Sequence, residues 1–191
     1  PTINSYRALK DKEDAIWSMW RHHTEVRDFI DIAQHLTASP DLIVWTGRDV
    51  NIEPASIKGH NAKAFMIEII GNFDIIGTGD YNNLGYDRLE GKYQSMIIEL
   101  VIGLQEIFKG AKIVFHNEYS NKTCPGTSIE KEVLLEMVRE NKYPSDFSEW
   151  GKKGYDFVKE SGISDGTRPK DTITREEMWT MLHRYHEKYG K

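Results

Sequence analysis

The sequence predicts an α/β fold: a mixed central β-sheet flanked by helices, followed by a small helical C-terminal module. Three observations carry this. Short apolar runs alternate along the chain with longer stretches whose apolar residues recur at helical spacing. The 191 residues are 39% hydrophobic with seven Phe, nine Tyr and five Trp, enough for one packed domain and an appendage. The character then changes near "NKYPSDFSEW", residues 141–150, where Pro144 and polar neighbours predict a linker. Division into 1–143 and 144–191 follows.

The elements can be justified in order. "EDAIWSMWRHHT", residues 13–24, reads as a helix with Ile16, Met19, Trp20 and His23 on one face. "AQHLTAS" and "LIVWTGR" flank a Pro40-Asp41 turn, which predicts two paired strands. "AFMIEIIG", residues 64–71, is short and nearly all apolar, the pattern of a central strand buried on both faces with Glu68 in its middle. The Gly-, Asn- and Asp-rich stretch 72–93 reads as a long loop.

A helix is expected over 94–109, where Met96, Ile97, Leu100, Val101, Leu104, Ile107 and Phe108 form a broad stripe and Gly110 suits the C-cap. "AKIVFH", 111–116, reads as another buried strand. Thr127 and Glu130 have capping-box spacing for a helix reaching 141. The tail reads as helix, Gly-rich loop, helix, with Thr174 and Glu177 as a second capping box. It carries few apolar residues and is expected to need a partner surface.

Charge and cysteine content narrow the function classes. A formal net charge of −5 with interspersed signs argues against an electrostatic nucleic-acid binder. A single cysteine forms no internal disulfide, so folding needs no oxidising compartment. No apolar run has the length of a membrane span, and residues 1–20 lack the apolar core of a signal peptide. The expectation is synthesis in a cytoplasm, without membrane or nucleic-acid partners.

The residues that bear chemistry gather in "FHNEYSNKTCPGTSIE", 115–130. A strand ending in His116, then a loop, then Cys124 before Pro-Gly brings imidazole and thiolate to one edge of a sheet. Both are good zinc ligands, and Lys122 beside them is placed to stabilise an oxyanion. Two other readings stand beside this one: a packed core thiol with a surface histidine, and a Cys124 nucleophile with His116 as base. Cys124 precedes proline in a loop, which offers little to lower a thiol pKa. Glu68, alone in an apolar strand, is either a carboxylate tuned for proton transfer or one arm of a structural ion pair. His22 and His23 point in different directions on a helix, and His183 and His186 read as surface residues.

Three segments together resemble the zinc-dependent N-acetylmuramoyl-L-alanine amidases of the phage-lysozyme and peptidoglycan-recognition-protein family (amidase type 2). They are "MWRHHTEVRDFIDIAQHLTASPD" followed by "TGRD", then "KGHNAKAFMIEIIGNFD", then "FHNEYSNKTCPGT", within residues 13–141. The resemblance implies that His116 and Cys124 are two of three zinc ligands. It implies that Lys122 stabilises the tetrahedral intermediate and that Glu68 assists catalysis. His35, Gln34 and Thr123 would contact substrate, with Gln34 where many members carry a catalytic tyrosine.

The family's third ligand is the first His of a His-His-Thr or His-His-Ser motif on the first strand. "RHHT", 21–24, imitates that motif but aligns with a later helix, so the third ligand is expected upstream of Pro1. "GISDGT" and "ITREE" in the tail resemble one S-layer-homology motif, a module that binds secondary polymers of Gram-positive walls. The combined expectation is a phage or prophage endolysin that needs Zn2+ and hydrolyses peptidoglycan. A non-catalytic peptidoglycan-binding protein of the same fold is the alternative.

Overall fold

The computed structural model describes residues 11–75, 86–143, 147–166 and 171–190. Residues 1–10, part of the 72–93 loop, and Pro144 of the linker lie outside the described residues. Packing divides the chain into two units, Pro1–Val138 and Arg139–Lys191.

The first unit opens with helix α1, Lys12–Arg21. Asp11 caps it, its carboxylate accepting from Asp14 N at 3.0 Å. Glu13 and Asp14 lie in the first turn and Arg21 in the last, the charge order that a helix dipole favours. The helix widens into a π turn over His22–Val26, where the Thr24 hydroxyl donates to Trp20 O at 2.9 Å.

Three short strands follow: β1 (Leu36–Ala38), β2 (Val44–Thr46) and β3 (Ile67–Ile69), in the order β2-β1-β3. β1 and β2 form the expected antiparallel pair, Thr37 opposite Trp45. β3 runs parallel to β1 with Glu68 opposite Thr37, so the sheet is mixed. Among the described residues the central strand is therefore β1, with the apolar run 64–71 beside it. Thr37 and Ala38 of β1 are buried, whereas all three residues of β3 are half-buried. A short apolar run signals burial but not sheet position, which depends on partners distant in sequence.

Helix α2, Gly91–Ile107, packs on this sheet through Tyr93 and Ile97. It starts three residues earlier than the apolar stripe suggested, because Gly91 accepts a positive φ of 59° at its first residue. The Tyr93 hydroxyl lies 2.9 Å from Ala38 O and 3.2 Å from Ile70 O, tying α2 to β1 and to the residue after β3. Burial holds that phenol far above its usual range. Ala38, Phe73, Tyr93 and Ile97 form one core cluster. Ile98, Phe115, Leu134 and Val138 form a second, between α2 and helix α3, Lys131–Asn141. Each fully buried side chain of this kind contributes roughly 1.5–3 kcal/mol.

Two local expectations are corrected here. "AKIVFH" does not join the three-stranded sheet. Phe115 has extended backbone and is buried, then the chain enters a 3-10 turn, His116–Glu118. Alternation along 111–116 marks one face for the core, but a strand also needs a ladder partner. The Thr127–Glu130 capping box does not form either. α3 begins at Lys131, with Leu134 N bonded to Glu130 O. Thr127 Oγ1 instead accepts from Ile75 N at 2.8 Å, a partner 52 residues away.

The second unit holds a 3-10 turn (Glu149–Gly151), α4 (Lys152–Glu160) and α5 (Arg175–Tyr189), the expected helix-loop-helix order. Thr174 and Glu177 form their capping box, with Glu177 N donating to Thr174 Oγ1 at 3.1 Å and Thr174 N to Glu177 Oε2 at 2.8 Å. Arg184 and Lys188 donate to Ile163 O and Ser161 O, satisfying carbonyls just beyond α4. No helix among the described residues is long and apolar enough to cross a membrane.

Candidate metal and substrate site

The loop from His116 to Ser128 is built by contacts with the segment that follows β3. Asp74 is buried, and both its oxygens reach the loop: Oδ2 accepts from the Thr123 hydroxyl at 2.9 Å and Oδ1 from Thr127 N at 3.0 Å. Phe73 O accepts from Ser128 N at 3.0 Å and from the Ser128 hydroxyl at 2.6 Å. Gly126 lies so close that a Cβ there would stand 2.4 Å from Phe73 Cβ, and its φ of 134° also favours glycine. Residues 73–75 and 123–128 are thus zipped together by groups that neither segment can satisfy alone.

Within the loop, Asn117 N donates to Cys124 O at 2.9 Å, so the backbones of His116 and Cys124 are brought together. The His116 turn is braced as well. Glu118 accepts from Phe115 N, and the Lys131 ammonium contacts both its oxygens at 2.8 Å. The Lys131 hydrogen bond holds the Glu118 carboxyl below its usual range.

His116 is half-buried. Burial first, then the nearby Lys122 charge, lowers its pKa and favours the neutral imidazole that binds metals. Cys124 is half-buried and outside any disulfide. A neutral imidazole and a thiol on one braced loop are a donor pair suited to zinc. Among the described residues no group of three His, Cys, Asp or Glu is arranged to hold a metal ion. The pair therefore fits part of a zinc site, and the described residues do not complete it.

Of the other anticipated residues, Lys122 and Thr123 lie in this loop, and His35, Gln34 and Glu68 lie in the sheet region. His35 is buried, with Met66 N donating to its Nδ1 at 3.0 Å and its Nε2 3.0 Å from Ile52 O. Its ring stacks on Phe65 with centroids 4.5 Å apart. Both nitrogens are committed to backbone, the arrangement of a structural histidine. Gln34 is 1% exposed, and its amide donates to Thr37 Oγ1 at 2.9 Å. Both side chains are held within the fold. Thr123 is half-buried with its hydroxyl given to Asp74, which makes it a brace of the loop. Glu68 stands at the centre of β3, half-buried. Lys122 is exposed beside the donor pair.

His23 lies apart from the pair, its Nδ1 accepting from Ala33 N at 3.1 Å. His183 is exposed and faces Glu187 at 3.6 Å. Sequence reading missed Asp74 because its two loop partners lie 49 and 53 residues away. The one local signal was an aspartate directly after the apolar run and its Gly-Asn-Phe.

No protein-family model matches this sequence, and no curated protein matches it. Solved structures do. The Ph2119 endolysin from a Thermus scotoductus bacteriophage superposes with a TM-score of 0.53 at 18% identity, over 71% of this chain and 80% of the endolysin. Drosophila peptidoglycan recognition protein SD gives a TM-score of 0.53 at 18% identity, over 77% of this chain and 79% of that one. A variant of Drosophila PGRP-LB, in complex with tracheal cytotoxin, gives 0.52 at 18% identity, over 78% of each chain. At this identity the likeness is one of fold: the chain has the mixed-sheet architecture shared by peptidoglycan recognition proteins and a phage endolysin.

Proposed function

We propose that this chain is a zinc-dependent N-acetylmuramoyl-L-alanine amidase of the phage or prophage endolysin type, acting on the Gram-positive cell wall. The observation that carries the reading is the donor pair His116 and Cys124 on one braced loop, with Lys122 beside His116, in a fold shared with a phage endolysin. The bond cut would be the amide between the lactyl group of N-acetylmuramic acid and L-alanine of the stem peptide.

When bound, zinc would polarise that carbonyl and lower the pKa of a water. His116 would supply a nitrogen donor and Cys124 a thiolate. The exposed Lys122 ammonium would balance the charge that develops on the carbonyl oxygen. Glu68 would hold or move a proton. Asp74 would keep Thr123, and with it the loop, in place. Residues 144–191 would bind a secondary wall polymer.

The test is metal analysis of the purified full-length protein together with digestion of purified wall. Stoichiometric zinc and new free L-alanine amino termini support the amidase. A second reading, a peptidoglycan-binding protein without catalysis, is favoured by the incomplete metal cluster among the described residues. Wall binding with neither zinc nor new termini would establish it instead.

A further inference from the structure

Beside the donor pair stands a feature the proposed chemistry does not use. The rings of His60 and Tyr119 face each other with centroids 4.0 Å apart and an interplanar angle of 33°. Both residues are exposed, Tyr119 by 51%. What sets this pair apart from the other exposed aromatics is its ring-to-ring contact beside the His116 turn.

The frame is rigid on both sides. Tyr119 N donates to His116 O at 3.2 Å, and the preceding turn is held by the Glu118–Lys131 pair at 2.8 Å. His60 closes another turn, its N donating to Ile57 O at 2.9 Å. Asn61 supports that turn, its Oδ1 accepting from Ser56 N at 3.0 Å and Ile57 N at 2.8 Å. The ledge is therefore preorganised, three residues from His116, and its order is not acquired on binding.

We propose that Tyr119, backed by His60, is a stacking platform for a pyranose ring of the glycan strand. One face of a pyranose presents slightly positive C–H groups, which suit the negative face of an aromatic ring. Tyr119 keeps 51% of its surface exposed beside the His60 contact, which leaves ring area for a sugar. This inference rests on the peptidoglycan reading of the neighbouring loop and assigns that site a contact for saccharide, separate from any contact for peptide. The simpler role for the pair is to bolt the 57–60 turn to the His116 turn.

The experiment titrates full-length protein, by NMR chemical shift, with two probes. One is an oligosaccharide of N-acetylglucosamine and N-acetylmuramic acid without stem peptide; the other is the free stem peptide. Wild type is compared with Tyr119→Phe, Tyr119→Ala and His60→Ala, each checked for an unchanged melting temperature. Tyr119→Phe should retain saccharide affinity, and Tyr119→Ala should lose about tenfold, the size of one aromatic contact. His60→Ala should lose less, and peptide affinity should not change. Saccharide binding by Tyr119→Ala equal to wild type overturns the platform, as does equal loss for both probes. Wild type that binds wall but not the saccharide also overturns it, leaving the amidase reading intact. Wild type that binds neither wall nor either probe removes that reading too.

Discussion

Asn117 N reaches Cys124 O across 2.9 Å, and this backbone bond brings the neighbouring His116 back to the chain's only cysteine. Seven residues separate the two ligating candidates, so unbraced chain would hold them together only transiently. The Asp74 carboxylate below and the Lys131–Glu118 pair beside the loop make the arrangement durable. The consequences can be measured.

Cys124→Ser should abolish zinc retention and turnover together, turnover falling roughly 100-fold or more, since even outer partners of a metal site matter by 10–100-fold. Metal analysis after dialysis and amino-terminus release from wall report the two losses. A core thiol would instead show a small stability change alone. A nucleophilic thiol would show inhibition by alkylation that a chelator does not reproduce.

Lys122→Met should separate binding from chemistry. The side chain is exposed, so its removal should leave folding intact. Zinc content and melting temperature should stay at wild-type values while kcat drops by about 100-fold, typical for loss of one oxyanion partner. A fall in zinc content would place Lys122 in metal retention instead.

Asp74→Ala should destabilise the first unit by about 1–3 kcal/mol, because Thr127 N–H and the Thr123 hydroxyl lose their acceptor. Urea unfolding gives the magnitude, and hydrogen exchange at the Thr127 amide locates it. Gly126→Ala should show a loss of similar or larger size, since its Cβ would collide with Phe73. Wild-type exchange at Thr127 in the Asp74 variant would contradict the bracing role.

His35→Ala should cost about 2–4 kcal/mol of stability by leaving Met66 N–H and Ile52 O without partners and opening a cavity. If His35 were a substrate residue, affinity would fall while stability held. Thermal unfolding and wall-binding assays on the same variant separate these outcomes.

The second unit should show two pH limits set by one contact. Asp156 accepts from Tyr143 at 2.8 Å and from Lys142 at 2.7 Å. Burial alone would raise the Asp156 carboxyl, but hydrogen bonds from Lys142 and Tyr143 outweigh it and hold it low. Its contribution is present above the unfolded value near pH 4 (roughly) and is lost as pH falls through the lower folded value. Burial and the Asp156 bond push Tyr143 up to about 12. Its contribution is present below about pH 10 and is lost as pH rises through the folded value. Limited proteolysis across pH should show Asp156→Asn flattening the acid limb and Tyr143→Phe the alkaline one.

Much of the fold was legible because it is locally encoded. Helical spacing located α1, α2 and α3 to within a few residues, and the Pro40-Asp41 turn announced the β1–β2 hairpin. Thr174 and Glu177 form the capping box that their spacing required. At the other Thr-x-x-Glu, the same spacing failed because Ile75 N, distant in sequence, claims the Thr127 hydroxyl. The run 64–71 was read as a strand correctly, but among the described strands β1 holds the central place, since strand order is a property of pairings and not of any one segment.

By itself the sequence determined where the side chains capable of chemistry lie along the chain. Its only cysteine, a histidine and a lysine lie in one loop, and residue type and spacing are local facts. Only the tertiary structure decided what each neighbour does. It buried His35 and Gln34 behind backbone hydrogen bonds and sheet packing, and turned Thr123 into a brace. It recruited Asp74 to hold the loop and set Tyr119 against His60. Those roles depend on desolvation and on partners tens of residues away, which a linear pattern does not encode.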